Sequence, residues 1–414
     1  MNAKAPGRGG ELVAGGRHIG IGPGWFARIF TGGIRRVLDR IDRGIVHGSA
    51  EVTLPNGETR LLGGRADGFH ARLEIRDLRG VMRFATGGSV GFYQAWAGGE
   101  IASPDLVEVF ALVMQNGESL GRTGRAHGPW KWIARHLHRL HRNTRNGSLR
   151  NIHAHYDLGN DFYPLWLDPT MSYSSARFDT GSDDLEAAQQ RKIASMADRI
   201  AGAQNVLEIG CGWGSLAGEL SQRGMDVTAI SLSDAQLAWA RAHQPKSIDF
   251  LKVDYRDMAG KFDAVVSVEM VEAVGREYWP AFLDTVARCL VPGGRAAIQY
   301  ILMQDELFDG YAANADFIQT YIFPGGLLIR ESEFRALADA RGLAWTDRES
   351  FGLDYARTLQ IWRENFDRVE AAGALPPGFD RDFADLWRFY LMYCEGGFRG
   401  GGIDVAQVTL VKKN

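Results

Sequence analysis

The sequence predicts an α/β protein: a parallel sheet with crossover helices, preceded by a small α+β domain. Three observations predict it. From residue 205 onward, short apolar runs alternate with segments of helical spacing, the pattern of a parallel sheet with right-handed crossovers. A glycine-rich turn, Gly210-Cys211-Gly212-Trp213-Gly214, joins the first apolar run to the helical segment that follows. The 414 residues are 45% apolar and 23% charged, a globular composition. That length gives room for roughly two to three domains.

Taken in order, residues 1–22 are glycine-rich and are expected to be disordered. Between 24 and 42, Trp25, Phe26, Ile29, Phe30, Ile34, Val37, Leu38 and Ile41 recur at near-helical spacing, which predicts a helix interrupted at Gly32–Gly33. Segments 51–54, 59–63 and 70–76 read as strands, with Pro55-Asn56-Gly57 as a hairpin turn. Residues 88–115 read as helical, so 23–120 form the small α+β domain. The stretch 121–150 is distinct: Arg122, Arg125, Lys131, Arg135, Arg139, Arg142, Arg145 and Arg150 stand there without a single acid. Trp130, Trp132, Ile133, Leu137 and Leu140 are interleaved. Two readings stay open, a face for anionic lipid headgroups or another polyanion and a solvated linker helix. His136, His138 and His141 make poor metal ligands among so many arginines. The second domain spans 151–414. Its strands are 205–210, 226–230, 249–253, 262–268 and 295–301, with helices at 234–243 and around 277–290. Pro292-Gly293-Gly294 precedes the fifth strand, and 405–412 is expected as a closing edge strand.

Several function classes fall away on composition. The net charge of −3 argues against whole-chain nucleic-acid binding. Cys211, Cys289 and Cys394 lie far apart, which excludes a disulfide framework and a cysteine zinc site and suits a reducing cytoplasm. No apolar run approaches the roughly 18 residues of a membrane span. The N-terminus lacks the apolar core of a secretory signal.

The chemistry begins at Leu207-Glu208-Ile209-Gly210-Cys211-Gly212-Trp213-Gly214, which ends a strand and opens a helix. No lysine follows to hold phosphates, and the glycines do not have the dinucleotide spacing. The pattern E-x-G-x-G-x-G resembles the first motif of class I S-adenosylmethionine-dependent methyltransferases. Asp254, Asp263 and Pro292-Gly293-Gly294 fall where that family has them. The resemblance implies a Rossmann-like class I methyltransferase sheet. It also implies S-adenosylmethionine as cofactor, held by Tyr173, Ser174, Glu208, Gly210, Gly212, Gly214, Ser231, Leu232, Gln236, Asp254 and Tyr255. Many such enzymes hold the ribose with an acid after the second strand. Here that strand ends in Ile230-Ser231-Leu232-Ser233, so Ser231 and Gln236 are the candidates. Trp213 and Tyr173 are expected to pack around the cofactor, and Cys211 to be a small buried residue.

A narrower resemblance follows. His155-Tyr156-Asp157-Leu158-Gly159-Asn160-Asp161-Phe162-Tyr163 and Leu167-Asp168-Pro169-Thr170-Met171-Ser172-Tyr173-Ser174-Ser175-Ala176 are similar to the N-terminal signature of cyclopropane-fatty-acyl-phospholipid synthases and mycolic acid methyltransferases. Glu269-Met270-Val271-Glu272-Ala273-Val274-Gly275, Phe317 through Gly326, Asp354-Tyr355 with Thr358-Leu359 and Trp362, and Tyr393-Cys394-Glu395 with Gly397-Phe398 add to it. The likeness covers about 150–412.

That likeness implies transfer of a methylene or methyl group to the double bond of an unsaturated phospholipid acyl chain. An alkene is a weak nucleophile, so the methyl donor must be held in line with it in a dry, apolar site. The resulting carbocation is stabilised by a carboxylate and aromatic faces. In the family a bicarbonate ion is the base that removes the proton. Carried over, Glu272, Tyr355, the backbone at Ile301 and Ser175, which stands at a cysteine position, surround it. Gln299 stands where the family has a histidine on the fifth strand, and Ala273 where it has another. Gln299 donates a hydrogen bond but carries no charge and moves no proton. Glu272 acting as a cap and Tyr355 as a core tyrosine are the structural alternatives. Ring closure to a cyclopropane leads, with a methyl-branched, still unsaturated chain as the alternative. A small-molecule methyltransferase and a non-catalytic sensor are more distant. The expected partners are unsaturated phospholipids at the inner face of the membrane, reached from the cytoplasm, with no nucleic acid and no metal. A homodimer is the assembly that the resemblance suggests.

Overall fold

The computed structural model describes residues 8–14, 31–121, 158–179, 184–313 and 316–414. The basic segment 122–150 and the signature residues His155, Tyr156 and Asp157 lie outside them, as does the first part of the expected 24–42 helix. Two compact units emerge. The first comprises Met1–His141, Glu306–Pro324 and Pro377–Ile403, and the second Arg142–Asp305, Gly325–Pro376 and Asp404–Asn414.

In the first unit, β1 (Ser49–Thr53) and β2 (Thr59–Gly63) form the expected hairpin. Leu54 N–H donates to the Glu58 carbonyl at 2.8 Å across a turn in which Gly57 takes φ 82°. β3 (His70–Ile75) runs parallel to β1, and β4 (Ile101–Ala102) closes a four-stranded sheet in the order β2-β1-β3-β4. The helix expected over 88–115 is instead Leu78–Ala97, which breaks at Gly88 (φ 56°), followed by Leu106–Gln115. Gly98 and Gly99 end the first, and the Asp105 carboxylate caps the second by accepting from Val107 N–H at 2.9 Å. The helix Thr31–Gly44 takes Gly32–Gly33 into its first turn and is not interrupted there. Nor is the whole 1–22 stretch without structure: Gly10–Ala14 is helical, and Leu12 is buried because it is an apolar side chain that the helix Arg381–Arg399 can cover.

A single cut at residue 150 therefore misses the weave of the chain, because 377–403 belongs with the first unit. The reason lies in two glycines of the helix Arg381–Arg399. A Cβ at Gly396 would sit 2.4 Å from the Phe110 Cβ and 2.8 Å from the Val107 carbonyl, and one at Gly400 would sit 2.5 Å from the Ala111 carbonyl. This helix lies almost backbone to backbone on Leu106–Gln115. Phe389 adds rings to Phe92, Phe110 and Phe317, with centroids 4.7–6.3 Å apart. Gly396→Ala improves helix propensity but overpacks this contact. The overpacking wins, and we expect a loss of about 2 kcal/mol, read as a lower denaturant midpoint; an unchanged midpoint would contradict the close approach.

The second unit holds the large sheet. Its strands are β5 (Asn205–Ile209), β6 (Asp226–Ser231), β7 (Asp249–Lys252), β8 (Phe262–Val268), β9 (Leu290–Met303), β10 (Ile329–Arg330), β11 (Leu343–Ser350) and β12 (Ile403–Lys412). The order is β11-β12-β9-β8-β5-β6-β7, with β10 beside β9. β7, β6, β5, β8 and β9 are parallel neighbours. Chain order reverses at β5, which lies between β6 and β8, so a crevice opens at their carboxyl ends. Two expectations are corrected. Pro292-Gly293-Gly294 lies inside β9, at a register shift between its pairs to Phe262 and Ala264. β12 is not the edge, because antiparallel β11 covers it. β11 lacks an alternating apolar pattern since most of it is exposed, which hides it from periodicity. Among the described residues, no helix is long and apolar enough to cross a membrane.

Candidate active site

The crevice is bounded by the loops after β5 and β8. The loop after β5 turns through three left-handed glycines, Gly210 (φ 82°), Gly212 (φ 52°) and Gly214 (φ 88°). A Cβ at Gly210 would meet the Met270 side chain at 2.7 Å, and one at Gly214 would meet Phe250, Ala240 and Gln244 at 3.0–3.1 Å. Gly212 has open space where its Cβ would point. The turn thus presses between neighbours on two sides and leaves its middle residue free for a ligand to approach. Glu208, the fourth residue of β5, is buried. Its Oε2 has no hydrogen-bond partner among the described residues, and burial pushes its carboxyl up to about 8.

The signature segment lies across this loop. Trp213 Nε1 donates to Asn160 Oδ1 at 3.0 Å, and Asn160 Nδ2 donates to the Ala235 carbonyl at 2.9 Å. Ser215 Oγ donates to the Thr170 carbonyl. Phe162, Tyr163 and Trp166 are fully buried. They join Tyr173, Trp213 and Trp362 in an aromatic wall, Tyr163 to Trp213 at 4.9 Å and Tyr173 to Trp362 at 5.3 Å between centroids.

The remaining cofactor candidates divide. Ser231, the last residue of β6, places its Oγ 3.3 Å from the oxygen of buried Gln236, and Ser233 caps the helix Asp234–His243. Leu232 is half-buried between them. Asp254 turns to its own chain: it caps the short turn Tyr255–Asp257 and accepts from Arg256 Nε at 2.8 Å. Tyr255 is buried, and burial raises its hydroxyl to about 12. Ser174 accepts from the buried ammonium of Lys192, at 2.8 Å. The open glycine turn, the unpartnered Glu208 oxygen at its base and the paired Ser231 and Gln236 fit S-adenosylmethionine, which when bound supplies an electrophilic methyl on a sulfonium.

The loop after β8 brings two carboxylates into the crevice. Glu272 is buried. Its Oε1 accepts the backbone N–H of Ile301, while Oε2 has no hydrogen-bond partner among the described residues. Burial, and then the Glu269 charge, push the Glu272 carboxyl up to about 8. Glu269 is the better solvated of the pair, though by protein rather than water. Its Oε1 accepts from Ser175 N–H at 3.0 Å and Gln299 Nε2 at 2.8 Å, and its Oε2 from the Tyr355 hydroxyl at 2.7 Å. Burial raises Glu269 as well, and these three donors and the Lys192 charge oppose that rise without cancelling it. Two neighbouring buried carboxyls do not both ionise readily. Three donors against one place the charge on Glu269 and the proton on Glu272.

The orientation of Gln299 is fixed from outside. Arg199 Nε donates to Gln407 Oε1 at 3.2 Å, and Ser195 Oγ to the same oxygen at 2.7 Å. Gln407 Nε2 then donates to Gln299 Oε1 at 2.9 Å. An arginine only donates, so each amide in turn presents its oxygen outward and its NH₂ inward, toward Glu269.

Sequence reasoning singled out Ser175, Gln299, Ile301, Tyr355 and Glu272, and the fold brings them together. It missed two groups at their centre. Glu269 opens the motif that ends at Gly275, and the resemblance assigns it no role there. Lys192 is assigned no role by the sequence, yet Leu185, Ala188, Gln189, Ile193 and Met196 put it on the buried stripe of the helix Leu185–Asp198. Burial lowers Lys192 to about 8, with Glu269, Asp168 and Glu208 opposing the fall.

The sequence profile of the mycolic acid cyclopropane synthetase family matches residues 143–408. The chain belongs to that family. It is 36% identical over 361 residues to the tuberculostearic acid methyltransferase UfaA1 of Mycobacterium tuberculosis, covering 80% of this chain and 81% of that one. It is 33% identical over 260 residues to the cyclopropane-fatty-acyl-phospholipid synthase of Escherichia coli K12, covering 62% and 66%. Among solved structures it resembles the mycolic acid cyclopropane synthase CmaA1 complexed with SAH and CTAB, at TM-score 0.58 and 29% identity over 64% of this chain and 98% of that one. The protein is an S-adenosylmethionine-dependent methyltransferase with the Rossmann-like sheet of class I.

A stability signature follows from Glu272. Burial pushes its folded carboxyl up to about 8, above the ordinary carboxyl value of 4.5, so the folded state holds a proton that the unfolded chain releases. The contribution is complete below about 4.5 and is lost as pH rises through about 8. Glu272→Gln is expected to flatten the fall in unfolding free energy across that window, measured by urea titration at successive pH values. Parallel curves for both proteins would contradict a protonated Glu272.

Proposed function

We propose that this protein transfers the methyl group of S-adenosylmethionine to a double-bond carbon of an unsaturated acyl chain on a phospholipid, yielding a methyl-branched chain. The observation that carries the reading is the buried carboxylate pair Glu269 and Glu272 beside the cofactor turn and its aromatic wall. An alkene attacked by methyl leaves a carbocation on the chain, which carboxylate and aromatic faces stabilise. The likeness to UfaA1 over four-fifths of the chain favours the branched product. A second reading, ring closure to a cyclopropane, is favoured by the family profile and the likeness to the Escherichia coli synthase.

The work site is proposed to be the inner membrane surface, approached through the basic run 121–150. The test is incubation of purified protein with S-adenosylmethionine and vesicles of monounsaturated phospholipid, followed by olefin-specific analysis of the acyl chains. Both products add one CH₂, so mass alone does not separate them. A retained alkene with a new methyl branch supports the first reading. Loss of the alkene with ring-methylene proton resonances supports the second. An acyl chain left unaltered overturns both.

A further inference from the structure

We propose that the Glu269 carboxylate is this enzyme's own catalytic base, built into the seat where the family's likeness places a bicarbonate ion. The inference rests on the lipid-methylation reading above. The resemblance surrounds that anion with the Ser175 backbone, the side chain at position 299, Tyr355, Glu272 and the Ile301 backbone. In this fold the first three donate to Glu269, and Ile301 N–H donates to Glu272. No donor of the set is left over for a free anion, and a carboxylate presents the same planar pair of oxygens.

The backbone gives independent support. Glu269 sits at φ 49°, the left-handed region that favours glycine. A non-glycine residue held there costs stability, and such positions cluster where function requires the side chain. That conformation also lets its N–H reach the Gln299 carbonyl at 2.8 Å while the side chain turns into the crevice. The inward-facing amide of Gln299 belongs to the same design. A histidine at 299 could move a proton, whereas this glutamine only holds the carboxylate still.

The step balances without another reactant. The alkene π pair forms a bond to the donor's methyl carbon, and the carbon–sulfur pair stays with sulfur. The other alkene carbon is left cationic. Glu269 takes one proton, from a neighbouring chain carbon to restore an alkene or from the new methyl to close a ring, and becomes a neutral carboxylic acid. Its proton passes to solvent when the product leaves.

The test compares the unaltered protein with Glu269→Gly, which relieves the backbone and empties the seat. Bicarbonate is the probe, titrated calorimetrically into each protein without lipid, and then added back to methyl-transfer assays in carbon dioxide-free buffer. The unaltered protein is expected to bind no bicarbonate and to turn over undiminished without it. Glu269→Gly is expected to bind bicarbonate, to lose turnover without it and to regain part of it on addition. Bicarbonate binding by the unaltered protein, with loss of turnover in its absence, would overturn the proposal, as would full turnover of Glu269→Gly in carbon dioxide-free buffer. If Glu269→Gly does not fold, Glu269→Gln fills the seat with an amide and is expected to lose about 10²–10⁴-fold in turnover, with no recovery on adding bicarbonate; undiminished turnover in that variant counts against the proposal. If the unaltered protein leaves lipids untouched, the lipid reading fails, and the calorimetric comparison alone decides whether Glu269 fills the anion's seat.

Discussion

Glu269→Gln lowers methyl-transfer turnover by about 10²–10⁴-fold, the usual worth of a positioned general base. The substitution is close to isosteric. Its amide oxygen keeps the bonds from Ser175 N–H and Gln299, and its NH₂ faces the Tyr355 hydroxyl, which can accept. Packing and the cofactor turn are therefore preserved, and binding of S-adenosylhomocysteine stays near that of the unaltered protein. On the proposed lipid-methylation reading the loss falls in kcat, because the missing charge would act on the cation and its proton rather than on the bound lipid. Single-turnover measurement with monounsaturated vesicles checks this. Undiminished turnover would remove Glu269 from the chemistry.

The second large effect is on stability. Lys192→Met keeps the volume but removes the buried cation that faces Glu269, Asp168 and Glu208. Breaking a buried charge arrangement on one side leaves the other side uncompensated, at a cost of about 3 kcal/mol. The cost depends on pH. The carboxyls that Lys192 serves hold their protons more readily as pH falls, so the deficit is expected to be larger at pH 8 than at pH 6. Urea unfolding at both values reads the difference. An equal deficit at both would mean that the carboxyls do not share this charge.

Much of this arrangement could be read from residues alone. β5, β6, β7 and β8 announce themselves as apolar runs between turn signals, and the spacing of Gly210, Gly212 and Gly214 marks the cofactor turn before any fold is known. What could not be read depends on contacts between distant segments. Glu269 and Glu272 are three residues apart in one motif, and only the left-handed turn at Glu269 shows which of them meets Ser175, Gln299 and Tyr355. Lys192 looks like surface until the sheet buries the stripe it stands on. β11 is polar and exposed, so periodicity passes over it, and its arrival displaces β12 from the edge. The helix Arg381–Arg399 joins the first unit through Gly396 and Gly400, and a glycine in a sequence does not reveal the backbone it admits.

The attachment of Glu269 to the end of β8 has a consequence for supply. A dissociable anion occupies its seat only as far as its affinity and the surrounding concentration allow, and each arrival costs translational freedom. A side chain has surrendered that freedom once, at folding, so its effective molarity at the reacting carbon is set by geometry and not by solution. Methylation by this protein would then follow the availability of lipid and methyl donor alone, and a fall in dissolved carbon dioxide would leave its rate where it was.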